Sequence, residues 1–254
     1  MIKKYRTPFL KEVIVRLDFS YPITKLSKAL PQDLRDLVIK SFPISEPREY
    51  IGKELRVTKD ATKETIIEGT NWLFHGIDRQ KTLIIGRDNV NISYTKYDSF
   101  DVLKQEFLPV VENLFKSYDD LQGKRLGLRY KNEITLSESN LLDWTNYLNK
   151  DLLTNLSFPE DTSRICRALS NLELIEEDII VRFQYGMLNP DYPAPIRKKS
   201  FILDYDAYHN GALNLGDINP KLDKSNIAIK SMFERSILDG LRSLMGVEAD
   251  GKGQ

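Results

Sequence analysis

The central stretch KRLGLRYKNEI places two arginines four residues apart, with a glycine midway between them. Because side chains alternate along a strand, Arg125, Gly127 and Arg129 are expected to share one face. Two guanidinium groups beside a glycine, which has no side chain, leave room for a phosphate or another backbone. The pattern therefore predicts an anion-binding site, with Asn132 and Arg16 as further candidate contacts to the ligand.

The same strand also has a structural interpretation. If it lies antiparallel beside the opening strand EVIVRLDF, Glu12 would face Arg129 and Arg16 would approach Arg125. Opposite charges that face each other across two strands contribute roughly 0.2–1 kcal/mol. In this interpretation the arginines are partners in structural ion pairs, and Asn132 is a buried amide that satisfies backbone groups.

The late strand FILDYDAYH offers a second set of chemical groups, since Asp204 and Asp206 alternate onto one face. Two carboxylates on one face can hold a divalent metal ion or act as an acid–base pair. Metal sites usually need a third or fourth ligand, which the sequence does not place, so no metal site is predicted. A solvent-exposed strand face is the other interpretation, because carboxylates are mostly exposed.

Other catalytic signatures are absent from the sequence. Cys166 is the only cysteine, and the two histidines, His75 and His209, lie far from it along the chain, so a packing role is expected for the thiol. The sequence contains no G-x-x-x-x-G-K-S/T phosphate loop, no G-x-G-x-x-G fingerprint and no G-x-S-x-G elbow. No cofactor is therefore predicted.

The composition is that of a folded, charge-balanced chain. Its 254 residues include 37 basic and 37 acidic side chains, so no overall charge draws it to nucleic acid or anionic lipid. Nucleic-acid binding stays an alternative because aromatic and basic residues are interleaved locally, as in YTKYDSF. No apolar run approaches the roughly 20 residues that span a bilayer, and a single cysteine suits a reducing compartment, so a cytoplasmic protein is expected.

The elements that must position these residues follow a repeated order. Strict alternation in EVIVRLDF predicts a strand with one buried face, and SFDVLKQEFLPVVENLFKSYDDL has helical spacing with Ser99 as the N-cap. Each half of the chain is predicted to run strand, helix, several strands, helix. The prediction is an α+β fold of helix-grip or saddle-like type, with an antiparallel sheet and long helices packed on one face. The predicted halves are residues 1–120 and 121–246, followed by a flexible tail at 247–254.

Three stretches in chain order, TPFLKEVIVRLDF, RLGLRYKNEI and FILDYDAYH, resemble an uncharacterised prokaryotic protein family of about this length. The marks of that family are a Pro-x-x-Glu-Val strand, a central Arg-x-Gly-x-Arg-Tyr-x-Asn strand and a late Leu-Asp-x-Asp strand. This chain has one extra residue between Pro8 and Glu12, and Glu133 stands where members often carry arginine. The resemblance implies no activity. The family is sporadically distributed across genomes, and this distribution is similar to that of mobile or defence-associated genes.

The leading prediction is a non-catalytic binding protein that holds a partner protein or a small ligand in its sheet groove, as an accessory of a mobile or defence-associated gene cluster. The first alternative is an enzyme that acts on a phosphorylated or nucleotide substrate. In that case Arg125 and Arg129 would clamp the anion, while Asp204 or Asp206 would act as the base, and all must converge in one cavity. The second alternative, a nucleic-acid-binding sheet, requires a basic and aromatic sheet face.

Overall fold

The computed structural model describes residues 5–59 and 61–246, with the backbone alone at residues 54 and 56. These residues form mainly a large antiparallel sheet of ten strands, and strand accounts for 40% of them against 28% for helix. The strands are β1 (Leu10–Phe19), β2 (Ile44–Ser45), β3 (Arg48–Val57), β4 (Thr62–His75), β5 (Lys81–Ile85), β6 (Asn89–Tyr94), β7 (Gly123–Leu136), β8 (Ala168–Glu176), β9 (Ile179–Met187) and β10 (Lys199–Leu213). The helices are α1 (Gln32–Val38), α2 (Phe100–Ser117), α3 (Thr154–Ser157), α4 (Leu215–Ser236) and α5 (Asp239–Met245).

The predicted α+β fold, with long helices packed on one face of two similar halves, is wrong because strands dominate the structure. The segment SNLLDWTNYLNKDLL shows one reason, since its apolar residues have helical spacing but it forms turns and one short 3-10 helix, Lys150–Leu152. In this segment the Asp143 carboxylate accepts a hydrogen bond from the Thr145 backbone N–H, and the Asn149 side chain accepts one from the Asp151 backbone N–H. Side chains that bind nearby backbone groups in this way compete with helix formation. Among the described helices, none is long and apolar enough to cross a membrane.

The strands lie in the order β2-β4-β5-β6-β1-β7-β10-β9-β8, and β3 pairs with β4 beside this path. The predicted antiparallel pairing of β1 with β7 is confirmed. The Glu133 N–H donates to the Phe9 carbonyl at 2.9 Å, and the Ser20 N–H donates to the Gln122 carbonyl at 2.7 Å. The predicted alternation of β1 is also confirmed, because its four apolar residues on one face are all buried: Val13, Val15, Leu17 and Phe19.

The chain forms two compact units, each assembled from separate segments. Unit 1 contains the chain up to Val13, Leu128–His209 and the chain from Asp223 onward. Unit 2 contains Ile14–Gly127 and Asn210–Leu222, so β1, β7 and β10 each contribute residues to both units. The predicted boundary between residues 120 and 121 stays a prediction, and the predicted tail at 247–254 lies outside the described residues.

Unit 2 contains the helix that the sequence delimits most clearly. The Ser99 hydroxyl accepts a hydrogen bond from the Val102 N–H at 3.2 Å, which confirms the predicted N-cap of α2. The apolar stripe of α2 is buried in the core, including Leu103, Phe107 and Leu114. Helical spacing of apolar residues and a capping hydroxyl are local signals, so they do not depend on the rest of the fold.

The core of unit 1 is aromatic. Tyr205 of β10 stacks on Phe183 of β9, with ring centroids 4.5 Å apart, and Phe233 of α4 meets Tyr205 edge-on at 6.4 Å. The Tyr205 hydroxyl donates to Ser236 Oγ at 2.8 Å, and burial raises the pKa of this hydroxyl. Because successive side chains point to opposite faces of a strand, the residues beside Tyr205 and Phe183 in sequence lie on the other face of the sheet.

Candidate functional site

The candidate site lies on that other face of β8, β9 and β10, in unit 1. The three strands pair antiparallel in this order, and residues directly opposite each other share a face. The register produces two rows of polar side chains across the strands, Asp204–Gln184–Asn171 and Asp206–Arg182–Glu173.

Arg129 of β7 joins this face through a two-point ion pair with Asp204. Arg129 Nε lies 2.8 Å from Asp204 Oδ1, and Nη2 lies 2.5 Å from Oδ2. The Asp204 side chain is 6% exposed and that of Arg129 is 39% exposed, so the carboxylate is the more buried partner. The hydrogen bonds to Asp204 raise the pKa of Arg129 above its usual range, and the charges of Asp206 and Glu12 add to this. Such a planar pairing fixes both groups and holds the guanidinium charged.

Arg182 forms a second ion pair on the same face. Its Nε lies 2.7 Å from Glu173 Oε1 on the neighbouring strand, and both side chains are about half exposed. The hydrogen bond to Glu173 raises the pKa of Arg182, and the charges of Tyr208 and Asp206 act in the same direction. The Arg182 guanidinium also lies 6.0 Å from the centroid of the Tyr208 ring. Solvent screens this pair more strongly than the pair formed by Arg129, because both of its members are exposed.

Together these side chains line an open cleft with a volume of about 430 Å³. The lining residues are Arg129, Asn171, Glu173, Arg182, Gln184, Asp204 and Asp206. Two arginines and three carboxylates give the cleft a net charge of −1, and the two amides add both donors and acceptors. The arrangement can bind a ligand that presents donors and acceptors together, and it is poorly suited to a polyanion such as nucleic acid.

The other arginines of the predicted anion site lie in unit 2, at a second carboxylate. Arg16 donates from Nε and Nη2 to Asp18 Oδ1, at 2.8 and 2.6 Å, and Arg125 Nη1 lies 4.0 Å from Asp18 Oδ2. A side chain added at Gly127 would place its Cβ 2.9 Å from Arg125 Nη1. The space beside the glycine is therefore taken by the chain's own guanidinium.

The Asn132 side chain is a buried amide that forms a hydrogen bond within the sheet. It is 6% exposed, and its Nδ2 donates to the Leu203 carbonyl at 3.3 Å. Two residues earlier on the same face, the Tyr130 hydroxyl donates to the Asn226 side chain at 3.0 Å. Neither group points to the face that carries Arg129, because odd and even positions of β7 lie on opposite faces.

The cleft brings Arg129, Asp204 and Asp206 together, but Arg125, which the enzyme alternative also requires, does not line it. The cleft adds four residues that sequence reasoning missed. Arg182 and Gln184 alternate with buried Val181 and Phe183 in β9, which is the pattern of a strand with one buried face. A polar alternation of the same kind is present in β8. The alternation of polar residues in β8 and β9 was therefore visible in the sequence. The order of the strands was needed to show that these residues lie beside those of β10.

Metal binding and known relatives give no further assignment. Among the described residues, no group of three or more histidine, cysteine, aspartate or glutamate side chains is placed to hold a metal ion. No protein-family model matches the sequence, and no curated protein matches it. The resemblance of the three stretches to a prokaryotic family stays a prediction.

Proposed function

We propose that the chain is a non-catalytic binding protein, and that the cleft of unit 1 holds a partner protein or a small ligand that presents both hydrogen-bond donors and acceptors. One observation carries this proposal. Each arginine of the cleft is bonded to a carboxylate, Arg129 to Asp204 and Arg182 to Glu173. A surface whose arginines are already paired favours recognition of a polar partner over chemical attack on a substrate.

The two ion pairs leave other hydrogen-bond donors and acceptors of the cleft available to a ligand. A guanidinium carries five N–H donors, and the bonds of Arg129 to Asp204 use two of them. Gln184 and Asn171 stand opposite each other in the first row and each has an amide donor and an acceptor. Ion pairs that hold both partners in place reduce the entropy lost when a ligand binds, because the side chains are already ordered.

The experiment is a comparison of copurifying partners by pull-down and native mass spectrometry. The test variant exchanges one pair, R182E with E173R, so that an internal pair persists while the positions of the charges are reversed. We expect a stoichiometric partner or ligand with the wild-type chain and its loss from the exchanged variant. The matched control exchanges the exposed pair of Lys224 and Glu177, whose Nζ and Oε2 lie 2.9 Å apart, and it should retain the partner.

Two results would contradict the proposal. One is a native spectrum that contains only the bare chain after mild purification from cells that encode it. The other is equal loss of the partner from the R182E/E173R variant and from the Lys224/Glu177 control, since binding would then not depend on the cleft.

An enzyme that acts on a phosphorylated or nucleotide substrate is the second candidate function. It is favoured by the direct contact of Arg129 with Asp204 and by the position of Asp206 on the same strand face, because an anion clamp and a base must be close together. Incubation with a panel of phosphomonoesters and nucleotides tests this function. Turnover that is lost in Asp206→Asn would support it, and a wild-type chain that converts none of the panel would count against it.

A further inference from the structure

The outer edge of β8 in unit 1 is open. In the sheet that the described residues form, β8 is the last strand and pairs with β9 alone. The second half of β8 is solvent-exposed, with exposed fractions of 45% for Leu172 and 81% for Ile175. A strand at the edge of a sheet presents a row of unpaired N–H and C=O groups, and such a row is a template for pairing with another strand.

The turn between β8 and β9 shows which backbone groups point outward. It has two residues, Glu177 and Asp178, and Glu176 pairs with Ile179 across it. Glu177 has a φ of +56°, as the first central residue of a type II′ turn requires. A two-residue turn of this type is closed by a hydrogen-bonded pair, and hydrogen-bonded pairs alternate with non-hydrogen-bonded pairs along an antiparallel ladder. Even-numbered residues of β8 therefore bond to β9, and the backbone groups of its odd-numbered residues point to the open edge.

The position of Ala168 agrees with this alternation. A Cβ added at Gly186 of β9 would lie 2.0 Å from the Ala168 carbonyl oxygen, so the carbonyl of this even-numbered residue points to β9. The outward groups recur at every second residue, roughly 7 Å apart. An α-helix satisfies its own backbone groups, so the molecule that pairs with this row has an extended backbone.

We propose that an extended, basic segment of a partner protein adds to the edge of β8 as an antiparallel strand, opposite residues 171–176. This inference rests on the proposed function, because Asn171 and Glu173 belong both to the cleft and to the open edge. The added strand extends each polar row of the cleft by one residue, since directly opposite residues share a face. The ligand of the cleft is then a protein, and it is bound through its backbone as well as through its side chains.

The side chains of β8 favour a basic segment. Glu173 and Glu176 are the charged residues of this strand, which contains no lysine, arginine or proline. The Glu173 carboxylate accepts a hydrogen bond from Arg182, and its two oxygens leave capacity for a second cation. Basic side chains opposite the two glutamates, with apolar side chains opposite Ile175 and the two exposed-side leucines of the strand, match the edge residue by residue.

A second copy of β8 is a poorer occupant than a basic segment. Two antiparallel copies of the strand would bring four glutamates together, with no basic side chain between Ala168 and Glu176 of either copy. Like charges that face each other across two strands are destabilising. The acidic edge therefore disfavours self-association, and it still admits a strand of opposite charge.

The experiment measures the binding of synthetic peptides to the whole chain by fluorescence anisotropy. The probe is the labelled hexapeptide Lys-Val-Val-Lys-Val-Gln, whose lysines lie opposite Glu176 and Glu173 in the antiparallel register. A peptide with glutamate at both lysine positions should bind at least about tenfold more weakly, because two opposite-charge pairs become like-charge pairs. A wild-type chain that does not bind the basic peptide, or that binds both peptides equally, would overturn the proposal.

Two methylated forms of the basic peptide separate strand pairing from charge attraction. N-methyl groups on its second and fourth residues remove the N–H groups that face β8, so this form should not bind. N-methyl groups on its third and fifth residues remove N–H groups that point away from β8, so the dissociation constant should stay within about twofold. Both forms have the same charge, length and number of methyl groups. Equal binding of the two would show that the peptide is not held as a strand.

Variants of the chain locate the site. Ile175→Pro removes an outward N–H and no bond to β9, so it should block the peptide. Ile175→Val retains the N–H and should bind as the wild-type chain does, with thermal melting of both variants as the control for folding. If Ile175→Pro melts early, the two methylated peptides decide the question. A dimer of the wild-type chain that Ile175→Pro abolishes would identify a second copy as the occupant and overturn the proposal.

The same variants separate this inference from the proposed function. A partner that copurifies equally with the wild-type chain and with Ile175→Pro, but is lost from R182E/E173R, would overturn the inference and leave the proposed function standing. A wild-type chain that binds the basic peptide as a strand but copurifies with no partner would support the inference about the edge and contradict the proposed function.

Discussion

Removal of Arg129 is expected to destabilise the fold more than removal of Asp204, because the two members of the pair differ in burial. The Asp204 side chain is 6% exposed and that of Arg129 is 39% exposed. Breaking a fully buried pair costs about 3–5 kcal/mol, because one charge stays buried without a partner. Arg129→Ala leaves the buried carboxylate, so we expect a loss of about 3 kcal/mol, close to the lower end of that range.

Asp204→Ala leaves a guanidinium that water reaches in part, so we expect a smaller loss of about 2 kcal/mol after solvent screening is considered. Because each single variant already removes the bond, the double variant should lose about 1.5–3 kcal/mol less than the two single losses together.

Urea unfolding of the wild-type chain, both single variants and the double variant measures these free energies, provided that the slope with denaturant is unchanged. Arg129→Lys is a useful fifth chain, because it retains the charge and loses the planar two-point geometry. Losses that add within about 0.3 kcal/mol would refute the reasoning, because independent sites behave in this way. A larger loss for Asp204→Ala than for Arg129→Ala would refute the argument from burial.

Three further outcomes are expected. Lys199→Ala should cost about 2–5 kcal/mol in urea unfolding, because it removes a side chain that is 1% exposed and leaves a cavity. Lys199→Met, which retains the volume, should cost less. Gly186→Ala should destabilise by more than about 2 kcal/mol, because φ is +133° and the new Cβ would lie 2.0 Å from the Ala168 carbonyl oxygen. The control Gly216→Ala meets no atom within 4 Å in helix α4 and should be neutral or stabilising by thermal melting. Hydrogen bonds from Lys199 and then Tyr147 hold the pKa of Glu138 below its ordinary value of 4.5. The stabilisation from Glu138 is therefore present above pH 4.5 and is lost as pH falls through the lowered pKa, so Glu138→Gln should show a shallower loss of stability as pH falls below 4.5.

The sequence was sufficient for features that depend on near neighbours. Alternation located β1 with its buried face, helical spacing located α2, and the hydroxyl at Ser99 marked where that helix begins. The antiparallel pairing of β1 with β7 was also predicted, from the repeated order of elements in the two halves of the chain. These signals are local or pairwise, so the rest of the fold did not override them.

The partner of Arg129 could not be predicted, because it depends on a third strand. Glu12 was expected to face Arg129, whereas the hydrogen bonds of Arg129 go to Asp204 on β10, the other neighbour of β7. The pair of Arg16 with Asp18 needs no third strand, because opposite charges two residues apart lie on the same face of a strand. A single strand pattern shows which face a side chain occupies, and the strand order decides which charge it meets.

The fold class failed for a related reason. The stretch from Ser139 to Leu153 has apolar residues at helical spacing, yet its asparagine and aspartate side chains bind nearby backbone groups and hold turns. The spacing of apolar residues alone does not reveal that competition. The result was a prediction with too much helix and with two similar halves.

The path of the chain between the two units has a consequence for gene shuffling. The chain passes from one unit to the other four times, after Val13, Gly127, His209 and Leu222. No single crossover between two related genes can therefore exchange one whole unit and leave the other intact. Variation is expected to enter such a gene by point substitution or by insertion in loops, and a fragment library cut at one position would sample parts of both units.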